Sequence, residues 1–226
     1  MDRKANQKVQ DLMQGVTASA SNKEPPQGIP DPALMIIQDC PEWWRRNTIP
    51  PRVVEKAEAL LPPLVEYLDA ERKLKPKLMG KMAFGDPGVG KTSLFLTMFS
   101  MVMGSRRISA RYIKVRNLIR MFRDTWGSGS AITERAVLDE LARPTLLLID
   151  DIGVQAGTEN ERNLVYDVIA EREDRNKPTY GTTNHNLKED EGLALFQNCV
   201  GARVIDRYAG QFVNATTWGP SMRRNK

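Results

Sequence analysis

The sequence predicts an α/β fold in which a parallel sheet carries helices on both faces. Three observations point to it. From Leu78 onward, short apolar runs alternate with segments of helical periodicity, the order that builds a parallel sheet rather than hairpins. The run TLLLID at 145–150 is continuously apolar before it ends in acid, as a strand covered on both faces must be. A glycine-rich stretch, GDPGVGKT at 85–92, stands between a strand pattern and a helix pattern. That is the carboxyl end of a strand, where open parallel sheets take their ligands.

The elements follow in order. LMGKMAF (78–84) reads as a strand and Lys91 to Met103 as a helix. ARYIKV (110–115) is a strand, followed by helices over NLIRMFRDTW (117–126) and TERAVLDELA (133–142). TLLLID is the next strand, NERNLVYDVIAERED (160–174) a long helix and TYGTTN (179–184) a strand. A helix over Ala202–Tyr208 and a last strand, FVNATTW, complete the pattern. Residues 78–226 are expected to form one domain, without a separate C-terminal lid domain. Residues 31–77 read as a helical extension packed on it, with helices at 52–60 and 64–74 and Pro62 and Pro63 between them. Trp43 and Trp44 stand beside two arginines; they suit packing of the extension on the domain, and also stacking on bases. In residues 1–30, Val9, Leu12, Met13 and Val16 follow i, i+3, i+4, i+7 spacing. A short amphipathic helix is expected there, then a linker rich in Ser, Pro and Gly. An apolar stripe with nothing in its own segment to cover it suits docking on a partner; a frayed tail has the same pattern.

Composition narrows the function. Of 226 residues, 41% are hydrophobic and 27% charged, and no apolar run approaches the ~20 residues of a membrane span. The N-terminal charges have no apolar core behind them, so no secretory signal and a cytoplasmic location are expected. Cys40 and Cys199 form no CxxC pair and are expected as reduced thiols. His185 is the single histidine, which argues against a His-based metal site and against Ser–His catalysis. A net charge of +5 permits an acidic partner without requiring one.

The chemistry lies in GDPGVGKT, which fits GxxxxGK[ST]. Gly85, Gly88 and Gly90 let the backbone turn so that its N–H groups, with those of Asp86, Pro87 and Val89 where they have them, face inward on phosphates. The helix beginning at Lys91, Thr92 and Ser93 adds its positive N-terminal end. Lys91 is expected on the β- and γ-phosphates of ATP and the Thr92 hydroxyl on Mg2+. Chance alone produces this pattern in a chain of this length on the order of one time in a hundred, and here the strand–loop–helix context agrees as well. The second half is LLLIDD. Its strand delivers Asp150 to the sheet edge to hold Mg2+, and Asp151 is placed to polarise an attacking water. Two acids after a strand are, without such a loop, more often a helix cap. Asn184 ends the strand TYGTTN and can orient that water. Arg203 and Arg207, four apart on one helical face, can meet developing phosphoryl charge; taken singly each is an ordinary surface residue.

A basic track runs from 106 to 126. Arg116, Arg120 and Arg123 share one helical face and Trp126 closes the segment. Cations on phosphates and a ring under a base are what sequence-neutral single-strand binding uses, and a solvated helix face with a core tryptophan has the same pattern.

The motifs resemble the DnaC-type bacterial replicative-helicase loaders and their relatives, the IstB transposition-helper ATPases. The resemblance rests on GDPGVGKT, LLLIDDIGVQ followed by TEN, TTN at 182–184, GARVIDRY at 201–208 and WGPSMRR at 218–224, with a weaker likeness in VQDLMQ at 9–14. It implies an AAA+ P-loop NTPase fold with a short N-terminal helical extension. It also implies an ATPase that uses ATP and Mg2+, associates with itself through the ATP interface, binds single-stranded DNA and serves a DnaB-type ring helicase, with no membrane partner. By that likeness Asn184 is the sensor 1 residue and Arg207 the arginine finger that reaches a neighbouring subunit's ATP, with Arg203 beside it. Arg223 resembles the sensor 2 arginine near the nucleotide. Asp151 stands where many such proteins have glutamate, which suits a slow switch better than a motor. The core motifs do not separate a loader from a transposition helper. A small-molecule kinase, a third class, would need an arginine-rich lid insertion, which is lacking here, and leaves the two-arginine helix unexplained.

Overall fold

The computed structural model describes residues 37–46, 49–70, 76–103, 106, 108–127, 129, 131–216, 218–219 and 221–222. Five strands form one parallel sheet: β1 (Met82–Phe84), β2 (Ala110–Lys114), β3 (Leu146–Asp150), β4 (Thr179–Thr183) and β5 (Phe212–Asn214), in the order β2-β3-β4-β1-β5. β4 therefore lies between β1 and β3. Its register pairs Phe84 with Thr183 and Ile149 with Gly181, so β1, β4 and β3 end level at one edge of the sheet.

Helices cover both faces. On one lie α1 (Glu42–Arg46), α2 (Pro51–Ala59), α3 (Leu61–Asp69) and α4 (Lys91–Met103). On the other lie α5 (Val115–Arg123), α6 (Glu134–Ala142), α7 (Glu159–Asp174), α8 (Asp190–Val200) and α9 (Ala202–Arg207). The period-2 alternation of a strand explains the division within β3: Leu146 and Leu148 enter the first core, Leu147 and Ile149 the second. α4 is apolar all round, with Leu94, Phe95, Leu96, Met98, Phe99 and Val102 all buried, because the sheet takes one side and α2 packs on the other. The extension is thus a wall of the first core. It also reaches the edge of the sheet, where Gln38 N–H donates to Ala110 O (2.8 Å) and Tyr112 N–H to Gln38 O (2.9 Å). That bridge covers part of the open side of β2.

The structure differs from the sequence expectation in a few places. The two helices of the extension meet at Leu60, just before the expected break, and Pro62 and Pro63 lie in the first turn of α3, where the N–H groups have no helical partner to lose. β1 and β5 are three residues each, shorter than their apolar runs. α8 was not anticipated: its buried side chains are only Phe196 and Val200, and Gly192 weakens its first turn. The expected amphipathic helix at Val9–Val16 lies outside the described residues. No helix among the described residues is long and apolar enough to cross a membrane.

At the amino end of the sheet, Arg172 of α7 is wholly buried. Its guanidinium donates to the carbonyls of Leu141, Pro144, Thr145 and Pro178 and to Thr179 Oγ1, at 2.9–3.2 Å. Burial pushes its pKa down to about 9, still a cation at neutral pH. It joins the turn into β3 to the turn into β4, the two strands that lead to Asp150 and Asn184.

The tryptophan pair divides. Trp44 is 3% exposed within the first core, whereas Trp43 is 43% exposed. Trp44→Ala should cost about 3–5 kcal/mol in urea denaturation, and Trp43→Ala should stay within about 0.5 kcal/mol. Equal losses would contradict the packing described.

Candidate nucleotide site

The site forms where β1, β3 and β4 end together. After Phe84 the chain turns through Gly85, Asp86, Pro87, Gly88, Val89 and Gly90 into α4. Gly85 has φ 139°, and a Cβ there would stand 2.8 Å from the backbone nitrogen of Thr216, so this corner admits only glycine. The far side of the loop is held from both ends of the described chain: Met222 N–H donates to Gly88 O (2.9 Å), and Val53 of α2 packs beside Gly90.

Lys91 is buried at the first turn of α4. Its ammonium donates to Gly85 O (2.6 Å), Asp86 O (2.9 Å) and Asn184 Oδ1 (2.9 Å). The last contact spans from α4 to the end of β4, as the strand order requires. Beside it, Thr92 donates its hydroxyl to Asp150 Oδ1 (2.6 Å). Thr182 Oγ1 donates to the same oxygen (2.6 Å), and Tyr112 OH donates to Asp150 Oδ2 (2.8 Å). Asp150 is 4% exposed, and these hydroxyls supply the hydrogen bonds that a buried carboxylate needs. Burial first, and then the charge of Asp150, hold the Tyr112 phenol far above its ordinary pKa, so it stays a donor.

Asp151 follows at φ 58°, a left-handed conformation that aspartate tolerates better than most residues. Its N–H donates to Thr182 Oγ1 (3.0 Å), which turns the chain sharply off the end of β3. The loop beyond it is braced. Gly153 N–H donates to Gln155 Oε1 (2.8 Å), Gln155 Nε2 to Cys199 O (3.1 Å), and Arg116 Nη2 to Val154 O (3.2 Å). His185 Nε2 lies 3.3 Å from Gly153 O.

The residues fit a nucleotide triphosphate with its metal. A buried ammonium beside a glycine-rich turn at a helix N-terminus suits a polyphosphate. A hydroxyl and a carboxylate brought side by side are hard oxygen donors of the kind Mg2+ takes while keeping water and phosphate as its other ligands. No group of three or more His, Cys, Asp or Glu that could hold a metal occurs among the described residues.

Comparison with known proteins agrees with this geometry. A family model described as IstB-like ATP binding protein matches residues 81–226. The chain belongs to this IstB-like ATP-binding family. The chain is also similar to the replicative helicase loader DnaC of Escherichia coli (strain K12), 31% identical over 123 residues that cover 54% of this chain and 47% of the relative. The corresponding loader of Buchnera aphidicola subsp. Baizongia pistaciae is 27% identical over the same share of each chain. This chain thus matches about half the length of the curated relatives. Among solved structures, the DnaC helicase loader superposes with a TM-score of 0.60 at 22% identity, covering 78% of this chain and 98% of that one. DnaI gives 0.57 at 21%, covering 84% and 97%. AMPPCP-bound DnaA from Aquifex aeolicus gives 0.51 at 18%, covering 71% and 44%. These likenesses carry the AAA+ fold.

The fold brings Lys91 onto Asn184, and Thr92 and Thr182 onto Asp150, with Asp151 next in the chain and its N–H on Thr182. Ser93 is buried on α4. Arg203 and Arg207 are elsewhere. Arg207 pairs with Glu173 and donates to Tyr166 OH (3.0 Å), and both guanidinium groups lie over the Tyr166 ring, at 5.4 and 5.0 Å from its centroid. Glu173 ends α7 just before β4, so Arg207 sits toward the amino end of the sheet, opposite the phosphate loop. A cavity of about 700 Å³ opens there, lined by Lys77, Tyr166, Glu173, Arg203 and Arg207 among others. Arg223 lies outside the described residues. Arg116, Arg120 and Arg123 are exposed on the solvent face of α5, whose other face buries Val115, Leu118, Ile119 and Phe122. Arg123 pairs with Glu161 (2.7 Å), while the Arg120 side chain has no partner among the described residues. Trp126 is 47% exposed, its indole N–H held by Glu134. Two other cations of the track are engaged internally: Arg106 on Asp69, and the buried Arg111 on Asp39 and Glu140. Tyr112 was missed, because its reach to Asp150 depends on strand order, which spacing in the sequence does not encode.

Proposed function

We propose that this protein is an ATP-dependent switch that loads a replicative ring helicase of the DnaB type onto single-stranded DNA, with Mg2+ and slow hydrolysis of ATP. The observation that carries the reading is the double contact across the sheet edge, Lys91 with Asn184 and Thr92 with Asp150. It supports a site in which the phosphate loop, the metal carboxylate and the sensor amide act on one ligand. Similarity to the DnaC loaders over the matched segment favours the loading role.

In this reading Lys91 binds and orients the phosphates, and Thr92 and Asp150 hold Mg2+, which would draw negative charge from the terminal phosphate when bound. Asp151 takes the proton side of the attacking water, and Asn184 orients that water through its amide. The carboxylate of Asp151 is one methylene shorter than glutamate, which favours a slow rate. Arg207 acts on a neighbouring subunit's nucleotide: within its own chain it is held by Glu173 and Tyr166 toward the opposite edge of the sheet. A transposition-helper role is the second reading, favoured by the IstB-like family match, and recovery of a transposase rather than a ring helicase in an ATP-dependent pull-down would decide for it.

Arg207→Ala should leave ATP affinity nearly unchanged and lower hydrolysis by about tenfold or more. The loss should be confined to activity that rises with protein concentration. Asp151→Asn should bind ATP and hydrolyse it slowly, and mixing the two variants should restore part of the parent rate. A parent rate flat with concentration, and no recovery in the mixture, would sink the shared site.

Single-strand binding is assigned to Arg116, Arg120, Arg123 and Trp126. Replacing Arg120 and Arg123 by alanine should weaken binding of a fluorescent oligonucleotide and flatten its log–log salt dependence by about 0.7 for each phosphate no longer neutralised. Trp126→Ala should weaken binding with little change in slope. Parent-like affinity and slope in the double arginine variant would make the track a solvated surface.

A further inference from the structure

We infer that Tyr112 is a positioning residue for Asp150: its hydroxyl holds the carboxylate oxygen that Thr92 does not touch, so that Thr92 and Asp150 meet Mg2+ in one fixed orientation. The inference rests on the ATP site proposed above and adds to it a residue that none of its motifs contains.

The carboxylate oxygens are unequally served. Oδ1 accepts from both Thr92 and Thr182 at 2.6 Å, whereas Oδ2 accepts from Tyr112 at 2.8 Å. A carboxylate rotates easily about its last torsion. That rotation carries both oxygens, so the donor on Oδ2 adds, from β2, a restraint on the opposite side of the carboxylate to the two on Oδ1. Tyr112 can serve because of register: it pairs with Leu148 across β2 and β3, two residues before Asp150, a diagonal offset that a long aromatic side chain spans. The tyrosine is itself immobile. Its ring lies in the first core, its strand is paired with β3, and its N–H donates to Gln38 O on the open side. A side chain held this firmly can hold another.

Tyr112→Phe keeps the ring and its apolar contacts and removes the hydroxyl. The measurement is the affinity of a fluorescent ATP analogue during a Mg2+ titration, and again in EDTA. The expected result is an EDTA affinity within about twofold of the parent and a half-saturating Mg2+ concentration raised about tenfold, the scale on which outer-shell partners act on a metal. An unchanged Mg2+ requirement overturns the inference. So does an equal loss of affinity in EDTA, or a variant that does not fold, since either makes the hydroxyl a support of the fold alone. A parent protein that binds no nucleotide under either condition fails the ATP reading itself, and this inference falls with it.

Discussion

The site depends on one buried carboxylate. Asp150 ends the apolar strand β3 at a depth where an ionised group without partners is costly, and the surrounding fold is arranged to supply donors. Thr92 comes from the helix after the phosphate loop, Thr182 from β4 and Tyr112 from β2. Three hydroxyls from three elements meet on one side chain. Their convergence requires the observed strand order: β2 and β4 must flank β3, and β1 must stand beyond β4 for α4 to bring Thr92 across. The same order puts Asn184 beside Lys91.

The elements far from the phosphates serve that arrangement. Arg172 fastens the turns that enter β3 and β4, so their carboxyl ends emerge level. The N-terminal extension walls α4 and bridges β2, and Val53 and Met222 flank the phosphate loop. Beyond Asp151, Gln155 joins the loop to Cys199, two residues before the glycine that opens the arginine-bearing α9. The nucleotide end of the sheet and the arginine helix are thereby joined by hydrogen bonds and packed elements within one chain. Arg203 and Arg207 thus stand on a surface away from the phosphate loop, stacked on Tyr166.

Much of this was legible in the sequence because it is local. The bounds of α4 follow from a glycine-rich turn and a run of helical residues, and β3 follows from LLLID. Both motifs carry their chemistry in adjacent residues. What was not legible depends on tertiary register. Tyr112 is an ordinary strand tyrosine until β2 pairs with β3. Pro62 and Pro63 read as a break until their place in a first turn is known. α8 escaped because few of its residues are buried and glycine stands in its first turn. The arginines of α9 were rightly seen as one helical face, but no spacing places that face toward the far end of the sheet.

The most direct test of an ATP site at the ends of β1, β3 and β4 is amide hydrogen exchange with and without a non-hydrolysable ATP analogue and Mg2+, in the parent and in Lys91→Ala. The account predicts added protection at 85–92, 150–153 and 182–185 in the parent, and its loss in the variant. Protection absent from the phosphate loop, or equal in both proteins, would contradict it.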